Sequence, residues 1–203
     1  MRMYSSSLKI RILASSPQEK GKSFELFMET ILDRMSFTDF RTNIHKTGIE
    51  LDIKAKHKVI DEQILCECKA HDEQIATPDL NDFYGKLSHE RSKNKQLTGL
   101  FFSISGFNGT ALEYYNEISD DDKRTFKIFG NKEIISFLRT AGIFTPDDKF
   151  EQKIRDNTSY TLGEKYLVYF ESALYLVQLL TIGGKATNYI ILTSQGDLVD
   201  KTI

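Results

Sequence analysis

GIELDIKAKHKVIDEQILCECK, residues 48–69, reads as two strands and the turn between them. Its first half alternates, with Ile49, Leu51, Ile53 and Ala55 on one face and Glu50, Asp52, Lys54 and Lys56 on the other. A polar turn at Asp61-Glu62-Gln63 leads to a second strand, Ile64–Lys69, so the segment is expected to form a hairpin. Glu67 and Lys69 stand two apart, so both side chains leave the same face. Paired as a hairpin, the strands bring Asp52, Glu67 and Lys69 to one spot. Two carboxylates and a lysine suit metal-assisted phosphodiester hydrolysis. Carboxylates are the hard oxygen ligands Mg²⁺ prefers. The metal polarises a phosphoryl oxygen, and the lysine orients water or steadies charge on the phosphate. An acidic residue followed by Glu-x-Lys also arises by chance on solvated strands. The flanking Cys66 and Cys68 argue instead for a strand buried on both faces, where a carboxylate and an amine need partners.

Working outward, the spacing predicts a helix over Pro17–Met35, capped by Ser16 and burying Phe24, Phe27, Met28, Ile31, Leu32 and Met35. After the hairpin, Thr77-Pro78-Asp79 opens a second helix with Leu80, Phe83, Tyr84 and Leu87 on one side. GLFFSIS, Gly99–Ser105, is a buried strand by length and composition. A Gly-containing turn and a helix through Ala111, Leu112 and Tyr115 follow, then a strand at Thr125–Phe129 and a helix at Lys132–Ala141. The order α-β-β-α-β-α-β-α makes this an α/β protein. Past Pro146 the character changes. Tyr166–Phe170, Leu174–Ile182 and Tyr189–Thr193 are strands, with Gly183-Gly184 as a hairpin turn. We therefore expect a domain at 1–145 and a small β-rich segment at 146–203, separate from it and open to further chain.

Four short stretches in order resemble the Mrr-like restriction endonuclease domain of the PD-(D/E)XK nuclease superfamily: GKSFE at Gly21–Glu25, TGIELDI at Thr47–Ile53, CECK at Cys66–Lys69 and GLFFSISGFNGTALEYY at Gly99–Tyr115. The resemblance covers about Gly21 to Gly142. It implies a restriction-endonuclease-like mixed central sheet flanked by helices, with the C-terminal antiparallel β segment added. It implies Asp52, Glu67 and Lys69 as catalytic residues and Glu25, Asp52 and Glu67 as metal ligands. Mg²⁺ is the expected ion, with Mn²⁺ as a substitute, and DNA is the expected substrate. Glu50 also faces the site and is an alternative to Asp52 or a neighbour supporting it; His71 is a second candidate neighbour. The family setting is bacterial restriction or antiphage defence, often with a fused or associated NTPase or sensor domain, and leaves room for a homo-oligomer. The rival reading is a catalytically silent module that binds DNA or a partner.

Composition bounds these expectations. The 203 residues carry 27 basic and 29 acidic side chains, a net charge of −2, so bulk positive charge does not mark the chain as a DNA binder. Lys86, Arg91, Lys93 and Lys95 form the one local basic cluster expected to meet a DNA backbone. Two cysteines on one strand exclude a disulfide framework and point to a reducing cytoplasm. They have no partner CxxC for zinc. No apolar run reaches membrane-spanning length, and no signal-peptide pattern opens the sequence.

Overall fold

The computed structural model describes residues 8–46, 49–145 and 161–199. Thr47, Gly48 and the start of the predicted C-terminal segment at Pro146 lie outside them. The first helix, α1 (Pro17–Arg34), begins as the sequence predicts: Ser16 is extended, and its hydroxyl accepts the Glu19 N–H at 3.2 Å. Phe24, Phe27, Met28, Ile31 and Leu32 are buried on one stripe.

Five strands form the central sheet, in the order β2 (Phe37–Lys46), β3 (Ile49–His57), β4 (Gln63–Lys69), β5 (Leu97–Ser103) and β6 (Phe126–Phe129). β2, β3 and β4 are antiparallel neighbours, while β4, β5 and β6 run parallel. Parallel strands need crossovers, and these are α2 (Thr77–Lys93) between β4 and β5, then α3 (Gly109–Glu117) and α4 (Asp120–Thr125) between β5 and β6. α5 (Asn131–Thr140) follows β6. β4 is buried along its length, as its cysteines foretold. Ile64, Cys66 and Cys68 face the core shared with α1 and α5; Leu65 faces the core shared with α2.

Three elements were not read from the sequence. α4 is one short polar turn of chain. β2 carries polar residues at Thr38, Asp39, Arg41, Thr42 and Asn43 and lacks clean alternation, because a bulge between Thr38 and Arg41 shifts its register. The third, β1 (Lys9–Ile12), changes the organisation. It pairs in parallel with β7 (Thr161–Phe170), at the edge of a second sheet ordered β1, β7, β8 (Ala173–Ile182), β9 (Lys185–Thr193). The C-terminal strands therefore share a sheet with the N-terminal strand β1. Ile10, Ile12, Leu167, Tyr169 and Leu174 are buried in the same core as α1, and the Tyr169 and Phe27 rings lie 4.8 Å apart. The three C-terminal strands form as predicted, and Gly183 and Gly184 make the turn with φ of 57° and 81°. Two successive positive φ values suit a tight hairpin and favour glycine at both positions.

Candidate active site

β3 and β4 pair from Lys56 opposite Gln63 to Ile53 opposite Cys66, and there the ladder ends. At the next position the side chain of Asp52 replaces the backbone: its Oδ2 accepts the Cys68 N–H at 2.6 Å. The strands fork at this point. Leu51 packs in the α2-side core, while Ile53 and Ala55 pack in the α1-side core. The predicted single-face alternation from Ile49 to Ala55 therefore changes phase at Asp52, the physical mark of the fork.

A cleft of about 610 Å³ opens at the fork, walled by Glu25, Glu50, Asp52, Lys69 and His71, with Ser16, Pro17 and Lys20 at the start of α1. Glu67 does not wall it. Its side chain is 4% exposed on the α2 side, with Oε1 2.6 Å from the Lys69 Nζ. Lys69 joins the two places, walling the cleft and binding Glu67. Its pKa stands above the ordinary lysine value: burial opposes its charge, but Glu67 and Asp52 outweigh burial. Asp52 is pushed up to about 6 by burial and by the charge of Glu67, against the Cys68 N–H and Lys69. Glu25 is pushed up to about 7 by burial and by Asp52 and Glu50, and a hydrogen bond from Asn43 works the other way. For both carboxyls burial is the larger cause and neighbouring negative charge the smaller.

Glu67 Oε2 is buried and has no hydrogen-bond partner. At the cleft, Asp52 and Glu25, both penalised as anions by burial, suit a hard divalent cation. The expected three-ligand set is not assembled, however. Among the described residues, no three His, Cys, Asp or Glu side chains are grouped to hold an ion. Glu67 pairs with Lys69 on the α2 side of β4 and is not among the residues that wall the cleft.

The basic cluster is dispersed. Lys86 points inward, its Nζ 2.8 Å from Asp82 and 3.6 Å from Glu67. Arg91 donates to the Leu97 carbonyl. Lys93 pairs with Glu90 at 3.1 Å, and Lys95 is exposed. Leu97 lies opposite Gln63, at the far end of β4 from Lys69. Six residues of strand, roughly 20 Å, separate the ends. Arg91, Lys93 and Lys95 lie toward that end because α2 runs back along the sheet. Sequence reasoning missed Asn43, whose left-handed φ of 49° falls opposite Asp52 in the β2–β3 register. Its signal was an Asn within a broken alternation. It also missed Lys20, held 2.9 Å from Asp72 on the cleft wall.

Residues 17–124, just over half of the chain, match the family model described as restriction endonuclease, the Mrr catalytic domain. The chain belongs to this family of PD-(D/E)XK nucleases. The match takes in every wall residue of the Mrr-type site named above except Ser16. Among curated proteins none matches the chain. Three solved structures resemble it. One is a protein of unknown function (16% identity, 66% of this chain and 77% of the other, TM-score 0.47). Another is a repair endonuclease from Pyrococcus abyssi (9%, 58% and 48%, 0.43). The third is Can2 from Sulfobacillus thermosulfidooxidans in complex with cyclic tetra-adenylate (16%, 64% and 38%, 0.43). The Mrr-type chain spans less than half of the latter two. Among its described residues no helix is long and apolar enough to cross a membrane.

Proposed function

We propose that this Mrr-type domain is a divalent-metal-dependent DNA endonuclease, with Mg²⁺ as its ion and Mn²⁺ able to replace it. The observation that carries the reading is the fork at Asp52, which places a carboxylate beside the Glu67–Lys69 pair. Asp52 and Glu67 would hold the ion, with Glu25 reaching it from α1. When bound, such a cation supplies Lewis acidity: it polarises a phosphoryl oxygen and makes water more acidic.

The remaining roles belong to the chain itself. Lys69, already charged, orients the attacking water and steadies the negative charge that grows on the phosphate. Lys20 and the N-terminal end of α1 face the cleft and favour a phosphate there. The water oxygen bonds to phosphorus as the bond from phosphorus to the 3′ oxygen breaks. That oxygen takes up a proton, leaving a 3′-hydroxyl and a 5′-phosphate. We place the activity in bacterial restriction or antiphage defence, in the cytoplasm, on the family resemblance.

Plasmid cleavage with Mg²⁺, with Mn²⁺ and with EDTA tests the proposal. Cleavage with either metal and none with EDTA is expected. DNA binding without cleavage under all three conditions would favour the silent binding module.

A further inference from the structure

Glu67 is one buried carboxylate facing two lysines from different elements. Lys69, two residues along β4, holds Oε1 at 2.6 Å. Lys86 arrives from the middle of α2, and its Nζ stands 3.6 Å from Oε2, the oxygen that lacks a hydrogen bond. The same Nζ lies 2.8 Å from Asp82, one turn earlier on the helix. An ammonium group has three protons to donate, so the Asp82 contact leaves Lys86 free to serve a second acceptor. Moving from 3.6 Å into hydrogen-bond range takes well under 1 Å, within reach of a flexible four-carbon stem.

A pair with Asp82 alone would explain little. Asp82 is 66% exposed, and a solvated pair four residues apart on a helix contributes only a few tenths of a kcal/mol. Yet Lys86 is only 17% exposed and leans across to the sheet. Gly99 on β5 makes the approach of α2 possible, since a Cβ there would lie 2.5 Å from a Leu87 methyl carbon. The helix is seated so closely that Lys86, next to Leu87, reaches Glu67.

Lys69 has two tasks that compete. It neutralises Glu67 and it walls the cleft where substrate would lie. If it turned to a phosphate with nothing in its place, a buried carboxylate would lose its hydrogen-bonded partner. We propose that Lys86 is a positioning residue for Glu67: it takes Oε2 when Lys69 leaves Oε1 for the substrate phosphate. The second half of this statement rests on the nuclease reading; the Lys86–Glu67 pairing does not.

The test has one arm without metal and one with it, both on the full chain. In EDTA, thermal unfolding is followed for the parent, Lys86→Met, Glu67→Gln, the double variant and Asp82→Asn. Lys86→Met should lower the Tm of the parent by about 3 °C and that of the Glu67→Gln background by no more than about 1 °C. Asp82→Asn should shift it by about 1 °C or less. In Mg²⁺, Lys86→Met should slow plasmid cleavage by about tenfold, while duplex binding in EDTA stays within about twofold of the parent. Lys86→Arg should recover most of the rate. Additive effects in EDTA, or Asp82→Asn matching Lys86→Met, would overturn the pairing. Binding that falls as far as cleavage would make Lys86 a phosphate contact and overturn the positioning role. A parent that cuts no DNA defeats the nuclease reading and with it the exchange of lysines, while the EDTA arm still decides the pairing.

Discussion

Lys69 and Glu67 are separated by one residue, yet they face two different demands. Glu67 is buried and needs a cation; Lys69 is the cation that also reaches the cleft. Replacing either should therefore affect catalysis more than binding. Glu67→Gln and Lys69→Met are each expected to slow cleavage by at least about 10²-fold, the scale of losing one preorganised electrostatic group. DNA binding measured by fluorescence anisotropy in EDTA should survive, and should tighten for Glu67→Gln as Lys69, no longer paired with a carboxylate, turns to the phosphate. Asp52 carries a second prediction. Its folded pKa of about 6 lies above the ordinary aspartate value, so the folded state keeps a proton that the unfolded chain releases. Stability is then greatest below about pH 4 on this account and falls as pH rises through 6. At pH 7.5 without metal the loss is on the order of 2–3 kcal/mol. Asp52→Asn should lessen that slope in EDTA melting curves recorded from pH 4 to 7.5, leaving the part that burial of Glu25 contributes. Mg²⁺ should raise the Tm of the parent at pH 7.5 and leave that of Asp52→Asn nearly unchanged. A flat profile for the parent would show that Asp52 is not held as a disfavoured anion.

At the scale of elements, the site depends on how α2 and β3 meet β4. The fork after Ile53 frees Asp52 from the ladder, and the close seat of α2 at Gly99 brings Lys86 to Glu67. A methyl group at Gly99 would have to displace Leu87, which is buried. Gly99→Ala should cost about 1–3 kcal/mol in urea unfolding by overpacking. By lifting α2, it should also reduce cleavage as Lys86→Met does. A substitution that left both stability and rate unchanged would show that Leu87 moves aside freely and that the seat of α2 does not set the site.

For the whole molecule, the N-terminal strand is the link between the sheets. β1 pairs with β7, and Arg11 and Lys20 meet at Asp72 on the cleft wall, Arg11 at 3.2 Å. Arg11 also lies 5.6 Å from the centre of the Tyr166 ring, so this side chain joins the second sheet to Asp72 on the cleft wall. Cutting the chain after residue 145 would expose Phe27, Ile10 and Ile12, which pack with Leu167, Tyr169 and Leu174. The 1–145 fragment is expected to unfold non-cooperatively or aggregate, as judged by chemical denaturation and light scattering, while the full chain gives one transition. A stable, active fragment would support the division drawn from composition.

How far the chain was legible from its sequence follows from the range of the forces involved. Helix α1 with its Ser16 cap, the buried strand β4, the Glu67–Lys69 pair on one strand face and the glycine turn at 183–184 are local. Each is set by spacing, capping or φ within a few residues, and each stood as read. The fork at Asp52 is not local. It exists because a side chain on β3 captures a backbone N–H on β4, and no periodicity within β3 announces that. β2 escaped notice because a bulge broke its alternation, and β1 because four residues carry too little pattern until β7, over 150 residues away, supplies their hydrogen bonds. The spread of the basic cluster has the same cause. Charges adjacent in sequence were parted by the direction of α2, which carried Arg91 and Lys93 to the far end of the sheet and turned Lys86 inward. Local chemistry offered most of the candidate groups for the site. Long-range strand pairing and helix seating decided which of them meet.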